Sequence, residues 1–150
     1  MNEKKDLDLY VLIKKELTVI EDLTSEMNSY GSASKMERAR ASILHDFYNA
    51  CERIFKWIVK DINGDFNPLG QWHRELLFKM TIGIKGQRPR VISDELAADL
   101  NEFLQFRHLF RNIYGFELKS DLLKRLEEKF PLIAKRFIKE INSFLKSLEK

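Results

Sequence analysis

The run Phe106-Arg107-His108-Leu109-Phe110-Arg111-Asn112-Ile113-Tyr114-Gly115-Phe116-Glu117-Leu118 is the informative stretch, because it sets two arginines, a histidine, an amide and a phenol close together. Placed on a helix, Phe103, Arg107, Phe110, Arg111 and Tyr114 recur at steps of three and four and share one stripe. A helix that buries Phe103 and Phe110 therefore directs two guanidiniums toward its apolar side. A buried cation needs a partner, because an unpaired one costs several kcal/mol (about 3–5 when a partner is removed). Two readings follow. Arg107 and Arg111 are neutralised inside the fold by Glu52, Asp46 or another acid, or they line a cleft in which their planar forks meet phosphates.

A second cationic stretch lies upstream. Gly83-Ile84-Lys85-Gly86-Gln87-Arg88-Pro89-Arg90 is irregular, and no acid occurs between Leu76 and Ser93, whereas Lys79, Lys85, Arg88 and Arg90 do. It reads either as a solvated loop or as a phosphate-facing rim. The histidines are His45, His73 and His108, and no pair has a metal-binding spacing such as HExxH. His45 lies beside an apolar stripe and reads as a hydrogen-bonded structural residue. His73, next to Trp72 at a helix start, reads as surface packing. Cys51 is the single cysteine, so an intramolecular disulfide and a CxxC metal site are both excluded, and it reads as a small core residue.

Helices must position these groups. Tyr10, Ile13, Leu17, Ile20, Leu23 and Met27 predict a first helix over about 6–27, ending at Ser29-Tyr30-Gly31-Ser32. A second is predicted from Ser34 to Asn63-Gly64 on the stripe Ala39, Ile43, Phe47, Ala50, Ile54, Ile58 and Ile62, with Ser34 and Glu37 spaced as a capping box. A shorter third covers about 72–82 (Trp72, Leu76, Leu77, Met80). A fourth runs from Ser93 or Asp94 to Tyr114 on Leu96, Leu100, Phe103, Phe110 and Tyr114, with Gly115 as its stop. A fifth follows Ser120 on Leu122, Leu126, Phe130, Ile133, Phe137, Ile141, Leu145 and Leu148. Pro131 falls inside it and must kink it or open a second piece. No run alternates convincingly with period two. The fold class is therefore all-α, an up-and-down bundle of about five helices joined by short connections.

At 150 residues the chain is expected to be a single domain, 1–150. With 44% apolar residues, eleven Phe and two Trp it can build a core, which excludes global disorder. A net charge of +3 is too mild to indicate nucleic-acid binding by itself. No apolar run approaches the roughly 20 residues of a membrane span. The charged start, Met1 to Asp8, has no signal-peptide core, so the expected location is cytoplasmic.

The chain resembles the HEPN domains, helical bundles marked by an arginine, four to six residues, then a histidine, and in particular their HepT-like members, which often read Arg-x4-His-x-Tyr. Here Arg107-x4-Asn112-x-Tyr114 is followed by Gly115-Phe116-Glu117-Leu118. Further likeness lies in Leu44-His45-Asp46-Phe47-Tyr48-Asn49-Ala50-Cys51-Glu52-Arg53-Ile54-Phe55, in Trp72-His73-Arg74-Glu75-Leu76-Leu77 and in Arg88-Pro89-Arg90-Val91-Ile92. The resemblance thus spans roughly 35–118.

It implies a metal-independent ribonuclease without a cofactor, the toxin of a toxin–antitoxin pair, acting as a homodimer whose two motifs line one cleft that takes RNA. It implies a minimal nucleotidyltransferase as the antitoxin partner, with Tyr114 as the candidate acceptor of AMP. The catalytic set it implies is Arg107, His108, Asn112 and Tyr114, with Arg111, Lys85, Arg88 and Arg90 on RNA phosphates. Metal-free RNA cleavage needs a base for the 2′-hydroxyl, an acid for the leaving 5′-oxygen and positive charge on the phosphorane. Asn112 departs from the motif, because an amide cannot exchange a proton near neutral pH. His108, one turn earlier, is expected to take over. The alternative is a catalytically inactive HEPN domain that serves as a nucleotidyltransferase partner or as a nucleotide- or RNA-binding module.

Overall fold

The computed structural model describes residues 3–31, 34–63, 72–112 and 120–149. The described residues form five α-helices: α1 (Glu3–Tyr30), α2 (Glu37–Ile58), α3 (Trp72–Lys79), α4 (Asp94–Asn112) and α5 (Ser120–Leu148). A 3-10 turn (Ser34–Met36) leads into α2, and a π turn (Val59–Asn63) extends it. The described residues hold no strand, only an isolated bridge between Ile84 and Arg88. The all-α expectation is met.

Cross-helix contacts fix the directions. Arg40, early in α2, donates to the Gly31 carbonyl at the end of α1 while Arg53, late in α2, meets Glu16, so α1 runs against α2. Lys14 Nζ donates to Asn142 Oδ1, and Leu7 and Tyr10 of α1 lie by Leu145 and Leu148 at the end of α5. Arg107 meets Asn49 while His45 meets Phe110, so α4 runs against α2. Ser93 meets Glu140 while Arg125 meets Glu102, so α5 runs against α4. The four long helices thus form an up-and-down ring, and α3 packs on α2 and α4.

The core lies where α2, α4 and α5 converge. Phe47 is fully buried and meets Phe103, Phe130 and Phe137 edge-on, at ring-centroid distances of 5.3, 5.1 and 6.2 Å. Edge-to-face packing suits the aromatic quadrupoles. The stripes of α1 and α5 bury Ile13, Leu17, Ile20, Leu126, Ile133 and Ile141, as their period requires.

Local chemistry sets the helix ends. Gly31 adopts φ 62° just past α1, a left-handed stop that glycine takes without penalty. Ser93 Oγ accepts the Leu96 N–H at 3.1 Å and so caps α4. The capping box expected from Ser34 and Glu37 is not what opens α2, whose N-cap is Met36 with no side-chain cap hydrogen bond. The short 3-10 turn moves the helix start past Ser34. Pro131 stands inside α5 at an exposed position, and α5 continues through it. The third helix stops at Lys79, earlier than the period suggests, because Met80 turns the chain and its carbonyl accepts the N–H groups of Val91 and Ile92.

Candidate functional site

His45, Tyr48, Asn49 and Glu52 follow one another on α2 at the offsets that share a helix face, and that face meets α4. Arg107 enters it from α4 and is only 4% exposed. Its Nη1 donates to Asn49 Oδ1 and to Glu52 Oε1, both at 2.9 Å, and its Nη2 reaches Glu52 Oε2 at 3.4 Å. The guanidinium also lies over the Tyr48 ring, 5.1 Å from its centroid, a cation–π contact. A carboxylate equally buried therefore neutralises the arginine, and an amide satisfies one more of its donors.

The third member comes from the first turn of α3. His73 Nδ1 sits 2.8 Å from Glu52 Oε2 and 2.8 Å from Arg107 Nη2. One nitrogen cannot donate to the carboxylate and accept from the guanidinium at once. The carboxylate can only accept and the guanidinium can only donate; the tautomer that serves Glu52 is the one with Nδ1–H on Oε2. The lone pair then resides on Nε2, at the other edge of the ring. Trp72 covers one face of the imidazole at a centroid distance of 3.5 Å, and Lys56 Nζ lies 4.5 Å from the Trp72 centroid.

Asn49 passes the network on. Its Oδ1 is taken by Arg107, and its Nδ2 lies 3.3 Å from His45 Nδ1. His45 packs on Phe110 at 5.0 Å. Its Nε2 and the Tyr48 hydroxyl are buried without a hydrogen-bond partner among the described residues. Burial pushes the Tyr48 phenol well above its usual range, and the nearby Glu52 charge adds to that. Burial likewise raises the Cys51 thiol, which is fully enclosed.

Within the chain Arg107 is the internal partner of Glu52, because α2 places a buried carboxylate against it. Arg88 is also enclosed. Expected on a phosphate-facing rim, it is 6% exposed and turned inward, donating from Nη1 to the carbonyls of Ile82 (2.9 Å) and Pro89 (3.1 Å) and from Nη2 to that of Lys79 (3.2 Å). Desolvation lowers its pKa. Gly86, at φ 80°, makes the reversal that brings Arg88 back onto the end of α3. Lys85 and Arg90 are exposed, and Lys85 lines a groove of about 1180 Å³ between this loop, the start of α1 and the end of α5. None of Glu52, His73 and Arg107 lines it. His108 is exposed on α4. Arg111 and Asn112 complete α4 in backbone; their side chains, and Tyr114 with the expected stop at Gly115, lie outside the described residues.

The family model described as HepT-like protein matches residues 39–148, most of the chain. The chain belongs to the HepT-like family. No curated protein and no solved structure matches it. The matched region begins in α2 and ends with α5, so it contains Asn49, Glu52, His73 and Arg107 and the motif through Tyr114. No described helix of this HepT-like chain is long and apolar enough to cross a membrane.

The sequence reading gave His73 to surface packing and did not use Asn49. A usable signal was present. Polar His45, Asn49 and Glu52 interrupt an otherwise apolar face of α2 at helical spacing, and such a row needs polar partners.

Proposed function

We propose that this HepT-like protein is a metal-independent endoribonuclease, the toxin of a toxin–antitoxin pair, with RNA bound in a cleft shared by two copies. The observation that carries the reading is the family match over 39–148, which spans every residue of the Arg107–Tyr114 motif. The buried cluster supports it by giving Arg107 a definite task. Arg107 and Glu52 hold each other and the Nδ1 edge of His73, which makes Arg107 a positioning residue. Lys85, Arg90 and Arg111 are the cations assigned to RNA phosphates, with Asn112 and Tyr114 beside the scissile bond. His108 is a second candidate for proton transfer. A minimal nucleotidyltransferase is the partner, and AMP on Tyr114 is the modification that silences the toxin.

The test is incubation of the purified protein with total RNA in EDTA. Cleavage is expected, and RNA that stays intact at every protein concentration overturns the reading.

One observation favours a second reading. Asn112 lacks a transferable proton and Arg107 is engaged by Glu52, as in a domain that keeps the fold and binds without cutting. An inert natural protein that becomes toxic and cleaves RNA as Asn112→His selects it.

A further inference from the structure

We propose that His73, oriented by Glu52, is the general base that the ribonuclease uses in place of the motif histidine lost at Asn112. The inference rests on the ribonuclease reading. Its geometry is that of a carboxylate–imidazole pair. With Nδ1–H given to Glu52 Oε2, 2.8 Å away, the basic lone pair lies on Nε2. Trp72 holds one ring face, and Glu52 and Arg107 hold the Nδ1 edge. The side chain is nevertheless 32% exposed, so part of the ring is open to a ligand. Of the three histidines, His73 is the one whose ring nitrogen contacts both a buried carboxylate and the motif arginine.

The step balances without a metal. Nε2 takes the proton of an RNA 2′-hydroxyl, the O2′–P bond forms and the P–O5′ bond breaks. The leaving 5′-oxygen takes a proton from water, and the imidazolium later returns its proton to the hydroxide so formed. The products are a 2′,3′-cyclic phosphate and a 5′-hydroxyl. Two charged groups face the ring, Glu52 from α2 and Arg107 from α4.

The experiment uses the full chain and an oligoribonucleotide carrying a fluorophore and a quencher, in EDTA. The wild type is expected to leave cyclic-phosphate ends. His73→Gln is expected to lower kcat by about 10²–10⁴ with little change in KM, and to lose the limb of the pH–rate profile that belongs to the base. Added imidazole is expected to restore part of the activity of His73→Ala, which a merely structural role would not permit. Wild type that cleaves while His73→Gln keeps both rate and pH profile overturns the base and leaves the ribonuclease reading standing. Wild type that never cleaves overturns both. Should the variants fail to fold, the 15N shifts of His73 in the wild type decide: a bare Nδ1 with the proton on Nε2 overturns the assignment.

Discussion

Arg107 Nη1 lies 2.9 Å from Glu52 Oε1, and both side chains are 5% exposed. A pair this deep is dear to break from one side, because the survivor keeps its charge and loses its counter-ion. Arg107→Met is therefore expected to destabilise the fold by about 3–5 kcal/mol, and the double variant with Glu52→Gln to recover part of that. Urea unfolding of the four proteins of this cycle measures it; a single variant as stable as wild type would contradict the buried pairing.

The same enclosure makes the protein sensitive to alkali. The Tyr48 phenol and Cys51 thiol are held neutral by burial, with folded-state pKa values raised above 10.0 and 9.0, while in the unfolded chain they ionise at those ordinary values. The unfolded state then releases protons that the native state keeps, so stability present below pH 9 falls as pH rises through 9–10 and beyond. Urea midpoints between neutral and alkaline pH should show the fall, and Tyr48→Phe with Cys51→Ala should flatten it. In native protein the thiol should resist a disulfide reagent until denaturant is added.

Arg88 and its neighbours separate structure from binding. Arg88→Ala leaves three backbone carbonyls short of a donor and is expected to cost about 1–3 kcal/mol in a thermal or urea melt. Lys85→Ala and Arg90→Ala should leave the melt alone and weaken RNA binding, each lowering the salt slope of log K by about one. RNA titrations at several salt concentrations that show no change would remove both from the interface.

Incubation with a minimal nucleotidyltransferase and ATP is expected to add AMP to Tyr114. Peptide mass spectrometry locates the adduct. An unmodified Tyr114, or an adduct that survives Tyr114→Phe, would remove that residue as acceptor.

Much of the bundle was readable because apolar period and burial are the same fact in a helix. Ile13, Leu17 and Ile20 on α1 and Phe130, Ile133 and Phe137 on α5 repeat at threes and fours and are buried. Phe106 was not placed, although it is 2% exposed, because α4 buries a face wide enough to take two neighbouring positions, 106 and 107. The site was less legible. An acid–base pair such as Glu52 and Arg107 depends on how two helices approach, which a one-dimensional pattern does not contain; it offered Glu52 and Asp46 among the acids that could answer the arginine and did not choose between them. His73 was harder still, since its partners lie on α2 and α4 and nothing local to Trp72-His73-Arg74 announces them. Arg88 shows the converse. A loop poor in acids reads as a cationic surface, yet one of its cations is consumed by the loop's own carbonyls.

The stack of Trp72 on His73 also gives the protein a built-in optical gauge. An imidazolium quenches an indole's emission far more than neutral imidazole does, and the chain has one other tryptophan, Trp57. In a Trp57→Phe background, ultraviolet emission becomes a label-free record of whether His73 holds an extra proton, legible through a reaction cycle or during encounter with another macromolecule.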